Sequence, residues 1–210
     1  MKKIMPQLVG NRALADKLGN KILNGGMSHA YIIGGPEGSG KHTLAKLIAA
    51  SIACECKENG ELPLPCGKCS ACYKILSDIS PDVTVIGTED RSTIGVEAIR
   101  SLRINVLTAP NDLDIKVYII EDADKMTPQA QNAFLLTLEE PPPYVLFLLL
   151  CERPEDLLET VRSRAPTLRT EPISPDEISS FLQGKRETAE LFKTAPDEFF
   201  ETVGVYGRNT

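Results

Sequence analysis

The chain has 210 residues, enough for one large domain or two small ones. It carries 23 lysines and arginines against 29 aspartates and glutamates, and this net charge of −6 argues against a free-standing nucleic-acid binder with a basic surface. Aromatic residues make up only 5% of the chain, so a base-stacking platform is not expected either. The longest uncharged apolar run, residues 144–151, is too short to span a bilayer, and the N-terminal MKKIMP lacks the apolar stretch of a secretory signal. We therefore expect a cytoplasmic protein without membrane contact.

Predicted helices and strands alternate along the chain. Residues 14–23 have helical apolar spacing, and residues 30–33 form a short apolar run that ends at two glycines, as a buried strand does. The later elements are a helix at 41–53, a strand at 83–86, a helix at 96–106, a strand at 116–120, a helix opened by Thr127 and Pro128 that ends before the prolines 141–143, and a strand at 144–150. Continuously apolar strands separated by helices predict an α/β fold with a parallel sheet covered on both faces.

The character of the chain changes after residue 170. Ser174 precedes a helical pattern and Glu177 is its third residue, which is the spacing of a capping box. Only short helical patterns follow. The sequence therefore predicts a core domain over residues 1–171 and a small all-helical domain over residues 172–210.

Residues 35–41, of sequence GPEGSGK, follow a predicted strand and open a predicted helix. In this context the glycines let successive backbone N–H groups face a phosphate, the helix N-terminus adds its positive end, and Lys41 adds a charge near the β- and γ-phosphates. A glycine-rich turn without a ligand is the alternative, and the order of strand, loop, lysine and helix disfavours it. The predicted phosphate-binding residues are Gly35, Gly38, Ser39, Gly40, Lys41, His42 and Thr43.

The residue after the lysine departs from the phosphate-loop motif. The motif has Ser or Thr there, whose hydroxyl binds Mg²⁺, whereas this chain has His42 and a hydroxyl one residue later, at Thr43. One residue is about 100° around a helix, so Thr43 is not a simple substitute. We expect binding of ATP or ADP to survive and metal-assisted hydrolysis to weaken, which leaves a Mg²⁺ cofactor in doubt.

An apolar strand runs into the carboxylates of Glu121 and Asp122. Nucleotidases place a metal-linked Asp and then a water-activating Glu at such a strand end. Here the order is reversed, so each carboxylate is displaced by one methylene from its expected reach. A solvated acidic turn is the alternative, and the phosphate loop favours the catalytic interpretation.

Cysteine is the unusual residue of the composition, because five of the six lie between residues 54 and 72. Their spacing includes two overlapping C-x-x-C steps, and four thiolates suit a tetrahedral, structural Zn²⁺. Buried free cysteines are the alternative, which this spacing disfavours. The predicted ligands are Cys66, Cys69 and Cys72 with either Cys54 or Cys56.

Several segments are similar to one family. Residues 132–142 read NAFLLTLEEPP, residues 94–100 read IGVEAIR, and residues 28–31 read SHAY ahead of the phosphate loop. With these motifs the chain resembles, over nearly its whole length, the AAA+ module of bacterial clamp-loader subunits of DNA polymerase III. The resemblance implies an AAA+ P-loop core with a zinc-binding insertion at 54–72, followed by a helical lid. An unrelated P-loop enzyme with a zinc knob is disfavoured by the first of these segments.

The resemblance also assigns residues by position. Val9 and Gly10 resemble the segment that flanks the adenine, and Lys41 is the phosphate lysine. Glu121 and Asp122 fall on the family's Asp-Glu pair in inverted order.

Four further positions follow from the same resemblance. Cys151 stands near a sensor position that reads the γ-phosphate, and it is a poor hydrogen-bonding replacement. Residues 163–165 fall on a Ser-Arg-Cys motif, which gives Arg164 the position of a trans-acting arginine finger, although a surface ion pair is the simpler interpretation of an isolated arginine. Arg208 resembles the second sensor. Counting from the phosphate lysine, the first zinc ligand falls on Cys54.

Three features needed to hydrolyse ATP are altered, at His42, at the Glu121-Asp122 pair and at Cys151. Arg164, which would complete a neighbour's site, is kept. This pattern resembles the delta-prime subunit, a stator with weak or absent ATPase activity and no polymerase site that supplies an arginine finger to a neighbouring subunit. The alternative is a gamma/tau-like motor that binds and hydrolyses ATP. The implied partners are gamma/tau and delta, the sliding clamp indirectly, and primed DNA only within the assembly. The family's C-terminal collar domain has no counterpart here, so we expect a truncated chain that is monomeric alone.

Overall fold

The computed structural model describes residues 3–88, 92–180 and 183. The helices are α1 (Arg12–Leu23), α2 (Lys41–Ile52), α3 (Ser70–Leu76), α4 (Val96–Val106), α5 (Pro128–Glu139) and α6 (Glu159–Arg162). The strands are β1 (Ala30–Gly34), β2 (Val83–Ile86), β3 (Lys116–Ile120), β4 (Val145–Cys151) and β5 (Thr167–Arg169). Residues 175–180 are also helical.

All five strands lie in one parallel sheet in the order β2-β3-β4-β1-β5. Strands β1, β3 and β4 are buried along their whole length, which explains why their sequences are apolar without alternation. Gly34 is opposite Cys151, and Ile120 is opposite Leu149. The carboxyl ends of these three strands therefore meet at one edge of the sheet. The predicted parallel α/β architecture is confirmed.

The sheet separates two hydrophobic cores. Tyr31 and Ile33 of β1 point to the face that packs against α1 and α2, while Ala30 and Ile32 point to the face that packs against α4 and α5. Phe147 lies at the centre of the second core, where it stacks on Tyr118 with ring centroids 5.6 Å apart and meets the edge of Phe134 at 5.1 Å.

Two short elements were not expected from the sequence. Helix α3 lies within the cysteine-rich segment and begins after Cys69, whose sulfur accepts a hydrogen bond from the amide of Cys72. Strand β5 has three residues and, in the described part of the chain, pairs only with β1. Neither element is long enough for its sequence to show the apolar periodicity of a helix or a strand.

The segment after the sheet begins as predicted. The Ser174 hydroxyl accepts a hydrogen bond from the amide of Glu177 at 3.2 Å, and the Glu177 carboxylate accepts one from the amide of Ser174 at 2.8 Å. These two bonds confirm the capping box. Apart from residue 183, positions beyond 180 lie outside the described residues, and so does Arg208. The helical domain predicted over 172–210 therefore stays a prediction.

Candidate nucleotide and metal sites

The predicted phosphate loop connects the carboxyl end of β1 to the N-terminus of α2. Gly38 and Gly40 have φ angles of 75° and 84°, in the left-handed region that glycine occupies without steric cost. The Gly40 carbonyl then accepts the first helical bond from the amide of Leu44 at 2.8 Å. The loop thus connects directly to the N-terminus of a twelve-residue helix, which is the positive end of the helix dipole.

Lys41 lies across the loop. Its Nζ donates to the carbonyl oxygens of Gly35 at 2.6 Å and Pro36 at 2.9 Å. An ammonium group has three donors, so one remains for a ligand. The lysine therefore holds the loop closed and presents a positive charge at its mouth.

A cavity of about 560 Å³ opens beside this loop. Its walls come from the loop, from the first turn of α2, and from the ends of β3 and β4. Carboxyl ends of parallel strands are where α/β sheets bind ligands, because the flanking loops separate there. The predicted site residues that line it are Gly38, Gly40, Lys41, His42, Thr43, Glu121, Asp122 and Cys151.

Both carboxylates at the end of β3 contact a basic side chain. Glu121 Oε1 lies 3.4 Å from His42 Nε2, and Asp122 Oδ2 lies 3.1 Å from Lys125 Nζ. The partner of Glu121 is therefore the histidine that replaces the hydroxyl of the motif.

A third acidic residue, which sequence reasoning missed, shapes the same edge. Asp124 Oδ2 accepts hydrogen bonds from the amides of Glu152 at 3.1 Å and Arg153 at 3.3 Å. These bonds fix the path of the backbone where it leaves β4, directly after Cys151. The one signal for Asp124 in the sequence is that it belongs to the acidic run that begins at Glu121.

Four of the predicted nucleotide-binding residues that the structure describes do not line the cavity: Val9, Gly10, Gly35 and Ser39. The Ser39 hydroxyl is buried against the hydroxyl of Thr170, at 2.7 Å. A Cβ atom on Gly10 would lie 3.5 Å from the Glu177 carboxylate and 3.6 Å from Ile173. Gly10 and its neighbour Val9 are thus next to the chain that follows the sheet.

The structure brings four cysteines together. The Sγ atoms of Cys54, Cys66, Cys69 and Cys72 all lie within 4.8 Å of one another. Four sulfurs around a tetrahedral Zn²⁺ are separated by about 3.8 Å, given Zn–S bonds of about 2.3 Å. The Sγ atoms of Cys66 and Cys72 are 3.9 Å apart, so this donor set fits a tetrahedral, thiolate-bound metal. In the part of the chain that the structure describes, Cys56 is not one of this group.

Backbone amides support the sulfur of Cys66. Burial alone would raise the pKa of this thiol, but hydrogen bonds from the amides of Lys68 and Cys69, both at 3.4 Å, outweigh it and lower the pKa to about 7. Burial raises the pKa of Cys72 and of Cys54. The amide hydrogen bonds thus favour the thiolate of Cys66, burial disfavours the thiolates of Cys54 and Cys72, and a bound cation would favour all of them.

Arg164 lies outside the cavity of its own chain. Its guanidinium donates to Glu139 Oε1 at 2.7 Å, at the end of α5, and to the Thr160 carbonyl at 2.9 Å. The side chain remains 35% exposed. Arg164 thus forms the surface ion pair that is the simpler interpretation of an isolated arginine, and it is not among the residues that line the cavity.

The fold and the phosphate loop define an AAA+ P-loop module. A gamma subunit-related protein of DNA polymerase III from Thermotoga maritima has the same fold, with a TM-score of 0.57 at 24% identity over 89% of this chain and 53% of that one. The RuvB branch-migration motor of T. maritima matches with a TM-score of 0.55 at 16% identity, over 91% of this chain and 54% of that one.

The chain belongs to the family described as DNA polymerase III, delta subunit, which matches residues 10–174. It is a member of the clamp-loader family. It is 33% identical to DNA polymerase III subunit gamma of Buchnera aphidicola, over 84% of this chain and 47% of that protein. It is 37% identical to subunit tau of Bacillus subtilis, over 75% of this chain and 27% of that protein. The chain thus spans less than half the length of these relatives.

Among the described residues, no helix is long and apolar enough to cross a membrane.

Proposed function

We propose that the chain is a delta-prime-like subunit of the DNA polymerase III clamp loader, a stator that helps to load the sliding clamp in DNA replication. In this role it supplies Arg164 as an arginine finger to a neighbouring ATPase subunit. The observation that carries the proposal is the position of Arg164, half-buried at the surface and outside the cavity of its own chain. A guanidinium in that position can neutralise charge on a phosphate bound by another subunit.

The chain's own cavity supports binding better than hydrolysis. Binding of ATP or ADP is supported by the phosphate loop at the N-terminus of α2 and by Lys41, which lines the cavity. Glu121 contacts His42 at 3.4 Å, and at the end of β4 the cavity is lined by the Cys151 thiol, which is a weak hydrogen-bonding group. We therefore expect weak or absent ATPase activity.

The second candidate is a gamma/tau-like motor that binds and hydrolyses ATP. Its support is the similarity to gamma and tau subunits at 33% and 37% identity, together with the retained phosphate-loop lysine. In either role the partners are other clamp-loader subunits (gamma/tau and delta), the sliding clamp indirectly, and primed DNA only within the assembly. In either role the protein would act in the cytoplasm.

Turnover measurements separate the two candidates. ATP hydrolysis by the full-length protein is compared with that of the Lys41→Ala variant. Lys41-dependent turnover would reject the stator and support the motor, whereas turnover that does not exceed the variant's supports the stator.

The finger is tested in the assembled complex without DNA. Arg164→Ala should lower the ATPase rate of the motor subunit by at least about 10³-fold, the lower end of the effect of an arginine finger. The matched control is Arg100→Ala, which removes an exposed arginine paired with Glu97 at 2.6 Å on α4. An equal rate in the wild type and the Arg164→Ala complex would remove the proposed role.

We further propose that Cys54, Cys66, Cys69 and Cys72 hold a structural Zn²⁺. Four protein thiolates complete a tetrahedral shell, so no position is open for a substrate. The ion would link the end of α2 to the start of α3, the two elements that carry or adjoin the ligands. Metal analysis of the purified protein should find one zinc per chain.

A further inference from the structure

The residue after the phosphate-loop lysine faces the ligand cavity. His42 is the second residue of α2, its side chain is 45% exposed, and it lines the same 560 Å³ cavity as Lys41. Its Nε2 atom approaches the carboxylate of Glu121 to 3.4 Å. The imidazole therefore lies between the helix N-terminus and the end of β3, where a P-loop motif would hold its metal ion.

The side chain at the motif's metal-binding position does not suit Mg²⁺. Magnesium prefers oxygen ligands in octahedral geometry, and P-loop proteins supply a hydroxyl at the position that His42 occupies. An imidazole nitrogen suits zinc, copper, iron or nickel better. Four carboxylates line the cavity, those of Glu37, Glu121, Asp122 and Glu152. The two at the end of β3 contact basic groups, Glu121 with His42 and Asp122 with Lys125 at 3.1 Å.

Basic side chains reach the cavity from two directions. Lys41 and His42 come from the start of α2, and Lys125 comes from the short turn after β3. Each can donate a hydrogen bond to a phosphate oxygen, and the helix N-terminus adds backbone donors. Because His42 follows the phosphate lysine directly, it can contact the phosphate that Mg²⁺ would otherwise bridge.

We propose that this cavity binds a nucleoside di- or triphosphate without a magnesium ion, and that His42 is the residue that determines this preference. The inference rests on the proposed binding of nucleotide by the phosphate loop. It adds that the ligand is the metal-free nucleotide, and that the His42 imidazole exchanges its contact with Glu121 for a hydrogen bond to a phosphate oxygen in place of the metal.

The experiment measures the affinity of the full-length protein for fluorescent ADP and ATP analogues in excess Mg²⁺ and in EDTA. The dissociation constants of the wild type should agree within about twofold between the two buffers, a difference of no more than about 0.4 kcal/mol. His42→Thr restores the hydroxyl of the motif. This variant should bind at least about tenfold more tightly in Mg²⁺ than in EDTA.

Two further variants isolate the histidine. His42→Gln keeps an N–H donor with about the reach of the imidazole Nε2 and should stay independent of Mg²⁺. Thr43→Ala tests whether the neighbouring hydroxyl binds a metal, and it should leave the ratio of the two constants unchanged. Thermal melting checks that the variants fold, as expected for changes at exposed positions.

The outcomes are distinguishable. A wild type that loses about tenfold or more in affinity when Mg²⁺ is removed would overturn the inference while leaving nucleotide binding intact. A His42→Thr variant with no Mg²⁺ dependence would show that His42 does not set the preference and would overturn that part. Absence of binding in both buffers would contradict the nucleotide site itself, and the test of Arg164 in the assembly would still stand.

Discussion

The hydroxyl oxygens of Ser39 and Thr170 lie 2.7 Å apart, although 131 residues separate them in the chain. Both residues are buried, with 1% and 5% of their surface exposed. Thr170 also donates from its amide to the carbonyl of Gly34 at 2.8 Å. The phosphate loop is thereby bonded to the segment through which the chain leaves the sheet.

Asn11 adds a second link at the same place. Its side-chain amide donates to the Glu171 carbonyl at 3.1 Å and to the Ser39 carbonyl at 3.5 Å, and its oxygen accepts from the Glu171 amide at 2.8 Å. The N-terminal segment, the phosphate loop and the start of the following segment therefore share one hydrogen-bond network. We expect a ligand that orders the loop to order this segment as well.

The first prediction concerns Thr170→Val, which keeps the shape of the side chain and removes its hydroxyl. The Ser39 hydroxyl loses its buried partner, so the free energy of unfolding should fall by about 1–3 kcal/mol. Affinity for nucleotide should weaken with it, because the loop is less well held. Chemical denaturation and the fluorescent-nucleotide assay measure the two effects.

A nearby threonine provides the control for this change. Thr167→Val alters an exposed residue of β5, three positions before Thr170, and should change the stability by less than about 0.5 kcal/mol. The double variant Ser39→Ala, Thr170→Val should be less destabilised than the sum of the single variants. Strict additivity would show that the two hydroxyls do not interact.

The second prediction concerns Gly35→Ala. A Cβ atom at this glycine would contact the Thr170 hydroxyl, lie 2.7 Å from the Thr170 carbonyl oxygen and 3.0 Å from the Ser39 hydroxyl, so the hydroxyl pair has to shift. We expect a loss of about 1–3 kcal/mol, as for other overpacked sites, together with weaker nucleotide binding. Gly95→Ala is the control, since a Cβ there meets no atom within 4 Å. Equal stability of both variants would contradict the argument.

The third prediction concerns Asp82, which is fully buried at the start of β2. Burial would raise the pKa of its carboxyl group, but amides of the loop that precedes β3 outweigh this and lower the pKa. These donors are Asn111 at 2.6 Å, Asp112 at 2.7 Å and Leu113 at 2.9 Å. A lowered folded-state pKa means that the contribution to stability is complete above the unfolded-state pKa of about 3.9 and is lost as the pH falls below it.

Asp82→Asn tests this pH dependence. The neutral amide accepts fewer hydrogen bonds, so at pH 7 the free energy of unfolding should drop by about 1–3 kcal/mol. The difference in unfolding free energy between wild type and variant should narrow as the pH falls below about 4, because the Asp82 carboxyl of the unfolded chain then binds a proton while the folded carboxylate, with its lowered pKa, does not. Asp16→Asn, at an exposed position of α1, should show neither effect. A gap that stays constant with pH would argue against the ionised carboxylate as its source.

The features that could be predicted from the sequence are those with a signal in consecutive residues. Apolar runs located β1, β3 and β4 because burial on both faces demands continuous apolar sequence. Thr127 was identified as a helix cap from its neighbours alone, and its hydroxyl accepts from the amide of Ala130 at 3.2 Å. In the site, the phosphate loop was found because its signal lies within seven consecutive residues.

The remaining features depend on contacts between distant segments. No local pattern indicates that Thr170 would bond Ser39, or that Asp124 would bind the amides after β4. The contact of His42 with Glu121 depends on the sheet, which brings the start of α2 next to the end of β3. The sequence identified both residues as departures from a motif, and the structure adds that they face each other.

The last prediction distinguishes the two cysteines that the sequence left as alternatives. Cys54 is buried and its sulfur lies within 4.8 Å of the other three, whereas Cys56 is only partly buried. Cys54→Ser should therefore lose the bound zinc and unfold at lower denaturant concentration, because a structural zinc site contributes to folding directly. Cys56→Ser is the matched control, two residues away, and should keep one zinc per chain. Zinc is quantified by metal analysis and by release to a colorimetric chelator after the thiols are modified. Loss of zinc from the Cys56 variant with retention in the Cys54 variant would reverse the assignment, and full retention in both would argue against four-cysteine coordination.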